Sequence, residues 1–304
     1  MPLTAKGKTM PSFVPVALTQ KDAYYEFWEK TPQRSLDYTL ANLWGWMRYY
    51  GLEWTFEEDL IWIRQNQNIS DPPIYWAPVG DWESTDWKKA FSKCQMHDLS
   101  FIRVPEKLLH IWETQLGDSL EVAEDRGQWE YLYNQTDLAN LAGRKFHKKK
   151  NHYLSFVKAY GDVEYHELNN MIVEDVLGLQ DEWCQWHECE DSSSLKAENE
   201  AINQVLSHWT LFHNLTGGAI YVDNRIAAFS IGEYLDEHNM GVHYEKGLNG
   251  YKGIYQAINK EFSSRVHAEF INRAQDLDEE GLRQAKISYN PVDYLKKYKC
   301  VVHS

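Results

Sequence analysis

Three stretches of the chain gather side chains able to hold or move a charged group. Between residues 141 and 152, Arg144, Lys145, Lys148, Lys149 and Lys150 place five cations, with His147 and Asn151 among them, in a chain whose 45 Asp and Glu outnumber 31 Lys and Arg. Such a local reversal suits a phosphate, a carboxylate or a nucleic-acid backbone; it equally suits a solvated helix face whose cations balance neighbouring acids. At helical spacing Arg144, Lys148 and Asn151 share one face, and Phe146 and Lys150 another. The second stretch runs from His243 to Gly253. His243 and Glu245, as alternate residues of a strand, fall on one face and could act as a base and its orienter. Gly247, Gly250 and Gly253, with Tyr251 and Lys252 between them, permit close backbone approach, and the free amides of a following helix start could hold an anion. The plainer reading is a strand-to-helix turn with a packed histidine. In the third stretch Asn272, Arg273 and Asp276 follow a strand, and Lys286 and Tyr289 could protonate or orient a leaving group. Capping and surface ion pairs, each contributing under about 1 kcal/mol, explain Asp276, Arg283 and Lys286 as readily.

Other chemistry finds less support. Cys184, His187 and Cys189 carry metal-ligand types, but helical spacing sends the two cysteines to different faces and no fourth ligand is suggested, so no metal is expected. G-x-S-x-G, Walker and dinucleotide motifs are absent, which argues against those hydrolases, NTPases and Rossmann enzymes. The four cysteines (Cys94, Cys184, Cys189 and Cys300) are too scattered for a disulfide framework, which points to a reducing, cytoplasmic setting. The first residues lack an apolar export core, and no run approaches the roughly 20 apolar residues of a membrane span, so no integral membrane association is expected. A formal charge of −14 disfavours general binding to polyanions. The 13 Trp, 19 Tyr and 11 Phe are expected mostly in cores.

The elements that must position these groups recur in one order. An apolar stretch at 13–18 leads to a helix opened by Thr19 and a second through Leu36, Leu40 and Leu43. A hairpin follows around Glu57-Glu58-Asp59, then a third strand at 74–77 after the turn 71–73, a helix at 85–95, a strand at 99–104 and a helix from Pro105. The second half repeats this with a strand at 163–168, helices at 173–189 and 195–212, and a hairpin turning at Asp223-Asn224. A strand at 240–244, a helix at 254–266, a strand at 268–271 and a helix at 279–286 complete it. This order is similar to that of acetyltransferase-like folds, in which the third strand and the next helix splay apart around an acyl donor. The expected architecture is therefore α/β (α+β): tandem acetyltransferase-like domains with mixed central sheets, divided as residues 1–136 and 137–304, the second carrying the main motifs.

Three segments, WEYLYNQTDLANLAGRKFHKKKNHYLSF (129–156), HYEKGLNGYKGIYQAINKEF (243–262) and FINRAQDLDEEGLRQAKISYNP (270–291), together resemble a bacterial family. It is the family carrying the phosphatidylglycerol lysyltransferase C-terminal signature, related to the Fem-type peptidyltransferases. The resemblance covers most of the chain, with departures at Gly247, Ala274 and Asp278, where the family pattern has alanine, an acidic residue and glycine. It implies transfer of an aminoacyl group from charged tRNA to a lipid-like or small-molecule amine or hydroxyl, with no resident cofactor. Acetyl-CoA is the alternative donor, and a non-catalytic ligand-binding protein on the same fold is the alternative outside enzymes. On this reading the donor lies on the Gly-rich loop and the acceptor enters between the halves. His243 or Glu245 is the base, Lys286 and Tyr289 steady the leaving group, and Arg144, Lys148 and Lys149 grip an anionic part of the substrate. Oligomeric state is open.

Overall fold

The computed structural model describes residues 12–66, 73–92 and 98–303. The expected turn at 71–73, the end of the helix at 85–95, and Cys94 lie wholly or partly outside these. In chain order the elements are β1 (Val14–Pro15), α1 (Lys21–Trp28), α2 (Leu40–Tyr50), β2 (Leu52–Glu57), β3 (Leu60–Gln65) and β4 (Ile74–Gly80). Next come α3 (Trp87–Ser92), β5 (Leu99–Pro105), α4 (Glu106–Leu116), β6 (Leu120–Glu124), β7 (Glu130–Asn134), α5 (Gln135–Asn140) and α6 (His147–Tyr160). Then follow β8 (Glu164–Glu167), α7 (Asn170–Trp186), α8 (Ser193–Leu206), β9 (Leu215–Val222), β10 (Arg225–Tyr234) and β11 (Asn239–Gly247). The chain closes with α9 (Ile254–Ser263), β12 (Phe270–Asn272), α10 (Glu280–Ile287), β13 (Asp293–Leu295) and β14 (Lys297–Val302).

Two seven-stranded sheets form, in the orders β1-β2-β3-β4-β5-β14-β6 and β13-β7-β12-β11-β10-β9-β8. Each has the same centre. The antiparallel run β2-β3-β4 passes through α3 to β5, parallel to β4; the antiparallel run β9-β10-β11 passes through α9 to β12, parallel to β11. A parallel neighbour requires such a crossover, so the recurring sequence pattern is a recurring topology. Both sheets are mixed, and the chain is an α/β protein in which the expected order of elements occurs twice. Asp223 (φ 51°) and Asn224 (φ 60°) both take the left-handed conformation that a two-residue hairpin turn demands.

The chain divides into two compact units, residues 1–33, 47–124 and 298–304 in one and 34–46 and 125–297 in the other. The division lies at 124/125 rather than 136/137, because β7 pairs with β12 and β13 of the second sheet. The last strand returns to the first sheet against β6. In the first unit, edge-to-face packing of Trp112 on Trp87 (5.3 Å) and on Phe101 (5.0 Å) fills the core.

One local expectation is overturned. Cys184 and Cys189 form a disulfide, their Cα atoms 5.0 Å apart. The helix that would have sent them to different faces stops at Trp186, and Glu188 turns left-handed (φ 50°), folding Cys189 back. Among the described residues no helix is long and apolar enough to cross a membrane, and no group of three or more His, Cys, Asp or Glu is placed to hold a metal.

Candidate functional site

All the groups that meet here belong to the second unit. β11 carries a bulge: Ile231 pairs with Tyr244 but Gly232 pairs with Val242, leaving His243 as the extra residue. An extra residue reverses the alternation of faces beyond it. A Cβ on Gly232 would meet Phe262 at 2.9 Å and one on Gly247 would meet Ile254 at 2.9 Å, so these positions face α9. Glu245, two residues before Gly247, shares that face. His243 points the other way, with Nε2 3.0 Å from a Glu233 carboxylate oxygen and 3.5 Å from the Thr39 hydroxyl. The expected His243–Glu245 dyad is therefore not formed, although the two residues are separated by only one position.

What Glu245 meets instead is Arg273, whose guanidinium donates to it at 2.8 Å. The same guanidinium lies 4.8 Å from the centre of the Tyr289 ring, and the Lys149 ammonium stands over that ring at 3.9 Å. Half-buried Lys286 donates its ammonium to the Arg273 carbonyl, while the Tyr133 hydroxyl donates to the Lys286 carbonyl at 2.9 Å. Gln256 of α9 donates to the Tyr289 hydroxyl at 3.4 Å. Five residues singled out in sequence, Lys149, Glu245, Arg273, Lys286 and Tyr289, thus form one cluster. Burial, reinforced by the Arg273 charge, pushes Lys286 down to about 7 and Lys149 down to about 8. Burial also raises the Tyr289 phenol. The result is a pair of lysines whose charge changes near neutral pH beside a permanent cation.

Asp276, three residues beyond Arg273, anchors a separate buried network. It is fully buried and takes two hydrogen bonds from Arg283, each 2.9 Å, and one from the Tyr131 hydroxyl at 2.5 Å. Burial opposes its charge, but the bonds from Arg283 and Tyr131 prevail and hold its pKa at about 2, below the ordinary 3.8. A depressed carboxylate stabilises the fold above its unfolded pKa and loses that contribution as pH falls through the folded one. Between about pH 4 and pH 2 the chain should lose about 2 kcal/mol through Asp276. Chemical denaturation at pH 5 and pH 2 reads this loss, which should disappear in Asp276→Asn.

Asn272 points elsewhere. Its amide donates to Glu130, within a buried network of Glu130, Lys297, Asp37 and Ser35. Its expected substrate contact is replaced by a structural one. Arg144 lies in a 3-10 turn (Arg144–Phe146) ahead of α6 and does not continue the helix bearing Lys148, so the expected shared face is broken at the buried Phe146. Arg144, His147, Lys148, Lys150 and Asn151 are exposed, and the Asn151 amide nitrogen lies 3.5 Å from His147 Nδ1.

The Gly-rich loop follows β11 as expected. The Tyr255 hydroxyl donates to the Gly247 carbonyl at 3.3 Å, the Tyr160 hydroxyl to the Gly250 carbonyl at 3.1 Å, and Tyr251 packs on Tyr160 with centroids 5.3 Å apart. Lys252 is exposed. Gly253 is required where α9 begins: its φ is +87°, and a Cβ there would fall 2.3 Å from the His152 carbonyl oxygen. Gly253→Ala should cost more than about 1 kcal/mol, read as a fall in melting temperature.

Gln256, which reaches the Tyr289 hydroxyl, escaped the sequence reading, and nothing in its surroundings marked it.

A description of the phosphatidylglycerol lysyltransferase C-terminal domain matches residues 28–301. A conserved protein of unknown function from Bacteroides thetaiotaomicron has a similar structure, with TM-score 0.87 and 30% identity over 96% of this chain and 100% of that one. The C-terminal domain of a protein described as a lysylphosphatidylglycerol synthetase, from Agrobacterium fabrum, shares the fold at TM-score 0.65 and 14% identity, over 95% and 93% of the two chains. L-PGS from Bacillus licheniformis does so at TM-score 0.62 and 12% identity, over 92% and 90%. An uncharacterized protein of Mycoplasmoides gallisepticum is 26% identical over 175 residues, which are 55% of this chain and 54% of that protein, so the match spans about half the length of this curated relative. The family match spans nearly all of the chain, and its borders enclose every residue of the cluster: the chain belongs to the phosphatidylglycerol lysyltransferase C-terminal family.

Proposed function

We propose that the chain is an acyltransferase whose reaction runs at Lys286, Arg273, Glu245, Tyr289 and Lys149, with aminoacyl-tRNA as donor and an amine or hydroxyl of a lipid-like or small molecule as acceptor. Family and fold support the transferase class. The observation that carries the assignment of roles is Lys286, whose ammonium is tied to the Arg273 carbonyl and whose basicity burial has lowered to about 7. A lysine tuned close to the working pH can accept a proton and return it. As the acceptor attacks the acyl carbon, its proton passes to Lys286; as the tetrahedral intermediate collapses, the proton passes to the departing ester oxygen of the donor. Lys149 and Arg273 offset the negative charge on the intermediate's oxygen. Glu245 holds Arg273 in place, and Tyr289 gives both cations an aromatic face. On this reading Lys286 takes the place of His243 or Glu245, the bases expected from sequence, because His243 faces the other side of the sheet and Glu245 is paired with Arg273.

The test is a transfer assay in two arms, charged tRNA and acetyl-CoA. Turnover with charged tRNA that survives His243→Gln and fails in Lys286→Met supports the reading. Turnover with acetyl-CoA alone replaces the donor, and turnover unaffected by Lys286→Met overturns the site.

A further inference from the structure

Cys184 and Cys189 close a disulfide across the end of α7, five positions apart in sequence. A disulfide stabilises most when it closes a long loop, and this loop is short. The neighbouring helix starts have caps of their own: the Asn169 side chain at the start of α7 and Ser192 at the start of α8. What the bond does enclose is Glu188 in the left-handed conformation (φ 50°), which residues other than glycine seldom adopt.

Gln180, one turn before Cys184, gives the bond a second distinguishing feature. It is fully buried and donates its amide to Cys184 Sγ at 3.5 Å, while its own oxygen has no hydrogen-bond partner. A disulfide sulfur only accepts, so it cannot serve that oxygen; a thiol carries the donor the oxygen lacks. An unsatisfied buried oxygen destabilises the form that contains it. Gln180 therefore favours the dithiol over the disulfide.

Trp183 joins the loop between the cysteines to the Gly-rich loop. His187 stacks on the Trp183 indole with ring centres 3.8 Å apart, and the Lys246 ammonium lies 3.9 Å from the centre of an indole ring. Two groups so close to one side chain take opposite faces of it, which holds the indole between the cysteine loop and β11. The indole Nε1 donates to the Tyr255 hydroxyl at 3.4 Å, and that hydroxyl donates to the Gly247 carbonyl. Lys246 directly follows Glu245, which holds Arg273.

We infer that Cys184 and Cys189 form a reversible redox switch that sets the mobility of the Gly-rich loop. An external dithiol is the reductant. Its first thiolate attacks one sulfur and breaks the S–S bond to give a mixed disulfide; its second thiol then displaces the protein sulfur, and the reagent leaves as a cyclic disulfide. Two electrons pass to the protein, and the two protons of the dithiol end on Cys184 and Cys189. A low-molecular-weight disulfide reverses the exchange. Once the bond is open, Glu188 leaves its left-handed conformation, His187 leaves the indole, and Trp183 loosens its hold on Tyr255 and Lys246. The switch itself stands on these contacts; that it regulates transfer rests on the transferase reading above.

The full chain is equilibrated in mixtures of reduced and oxidised dithiothreitol, then split between iodoacetamide labelling and hydrogen exchange, both read by mass spectrometry. Both cysteines should be labelled together in one reversible transition, with the circular dichroism retained. Gln180→Met removes the stranded oxygen and should raise the ratio of reduced to oxidised reagent at the midpoint about tenfold. Amides of residues 187–192 and 246–255 should exchange about tenfold faster in the reduced chain. The double variant Cys184→Ser, Cys189→Ser should show that faster exchange under oxidising conditions. A bond that stays closed in excess dithiothreitol until the chain unfolds overturns the switch. So does a Gln180→Met midpoint equal to that of wild type, or faster exchange confined to 187–192. None of these readouts needs turnover, so a failed transfer assay leaves the switch standing, and an unresponsive bond leaves the transferase site standing.

Discussion

Lys286→Met lowers the acyl-transfer rate by roughly 10²–10⁴-fold, the usual contribution of a positioned general base. The pH dependence identifies the cause. Lys286 must be neutral to take the acceptor's proton, so the wild-type rate climbs as pH rises through about 7. Lys149 must be charged to offset the developing oxyanion, so the rate falls again above about 8. A narrow bell results, and Lys286→Met removes its acidic limb while leaving the alkaline one. Lys149→Met does the converse. A merely structural role for Lys286 would change the height of the bell and preserve both limbs. The measurement is kcat/KM against pH for wild type and both variants, with folding verified by circular dichroism.

The largest expected loss of stability comes from Lys297→Met, at about 3–5 kcal/mol. Lys297 is fully buried and donates to Glu130 at 2.6 Å and to Asp37. Both carboxylates are themselves buried, and Glu130 also accepts from the Ser35 hydroxyl at 2.8 Å. Removing the ammonium leaves two carboxylates out of water with no cation between them, which is the costly way to break a buried pair. Urea denaturation should show a lower midpoint with an unchanged slope. Glu130→Gln introduced beside Lys297→Met should recover part of the loss, because it removes one of the stranded charges; strict additivity of the two would mean that the ions do not interact. The network ties the segment before α2 to β7 and to Asn272, one residue from Arg273, so the same variant should also weaken the cluster it supports.

The order of elements was legible because it is written in short-range patterns. Apolar residues at helical spacing marked α7 and α8, and the Asp223-Asn224 pair marked the β9–β10 hairpin by its tolerance of positive φ. The helix after the Gly-rich loop was placed correctly because Gly253 meets a local backbone demand. Strands β7, β13 and β14 were passed over, though Tyr131 and Tyr133 alternate in β7 and Tyr298, Cys300 and Val302 in β14. Short alternating runs among charged residues give a weak signal until their partners are known.

The sequence by itself determined much of the local grammar of this protein: where the longer helices coil, where the central hairpins turn, and that cations gather at 144–150 against an acidic background. Periodicity and turn chemistry act over a few residues and need no distant partner. Only the tertiary structure decided which of those side chains meet. One extra residue at His243 sent it to the opposite face from Glu245, a change invisible to a rule of alternation. Glu245 found Arg273 28 positions away, and Lys297 found Asp37 260 positions away. The lowered basicity of Lys286 likewise arises from desolvation and a neighbouring guanidinium, which exist only once the sheet and its helices have closed around it.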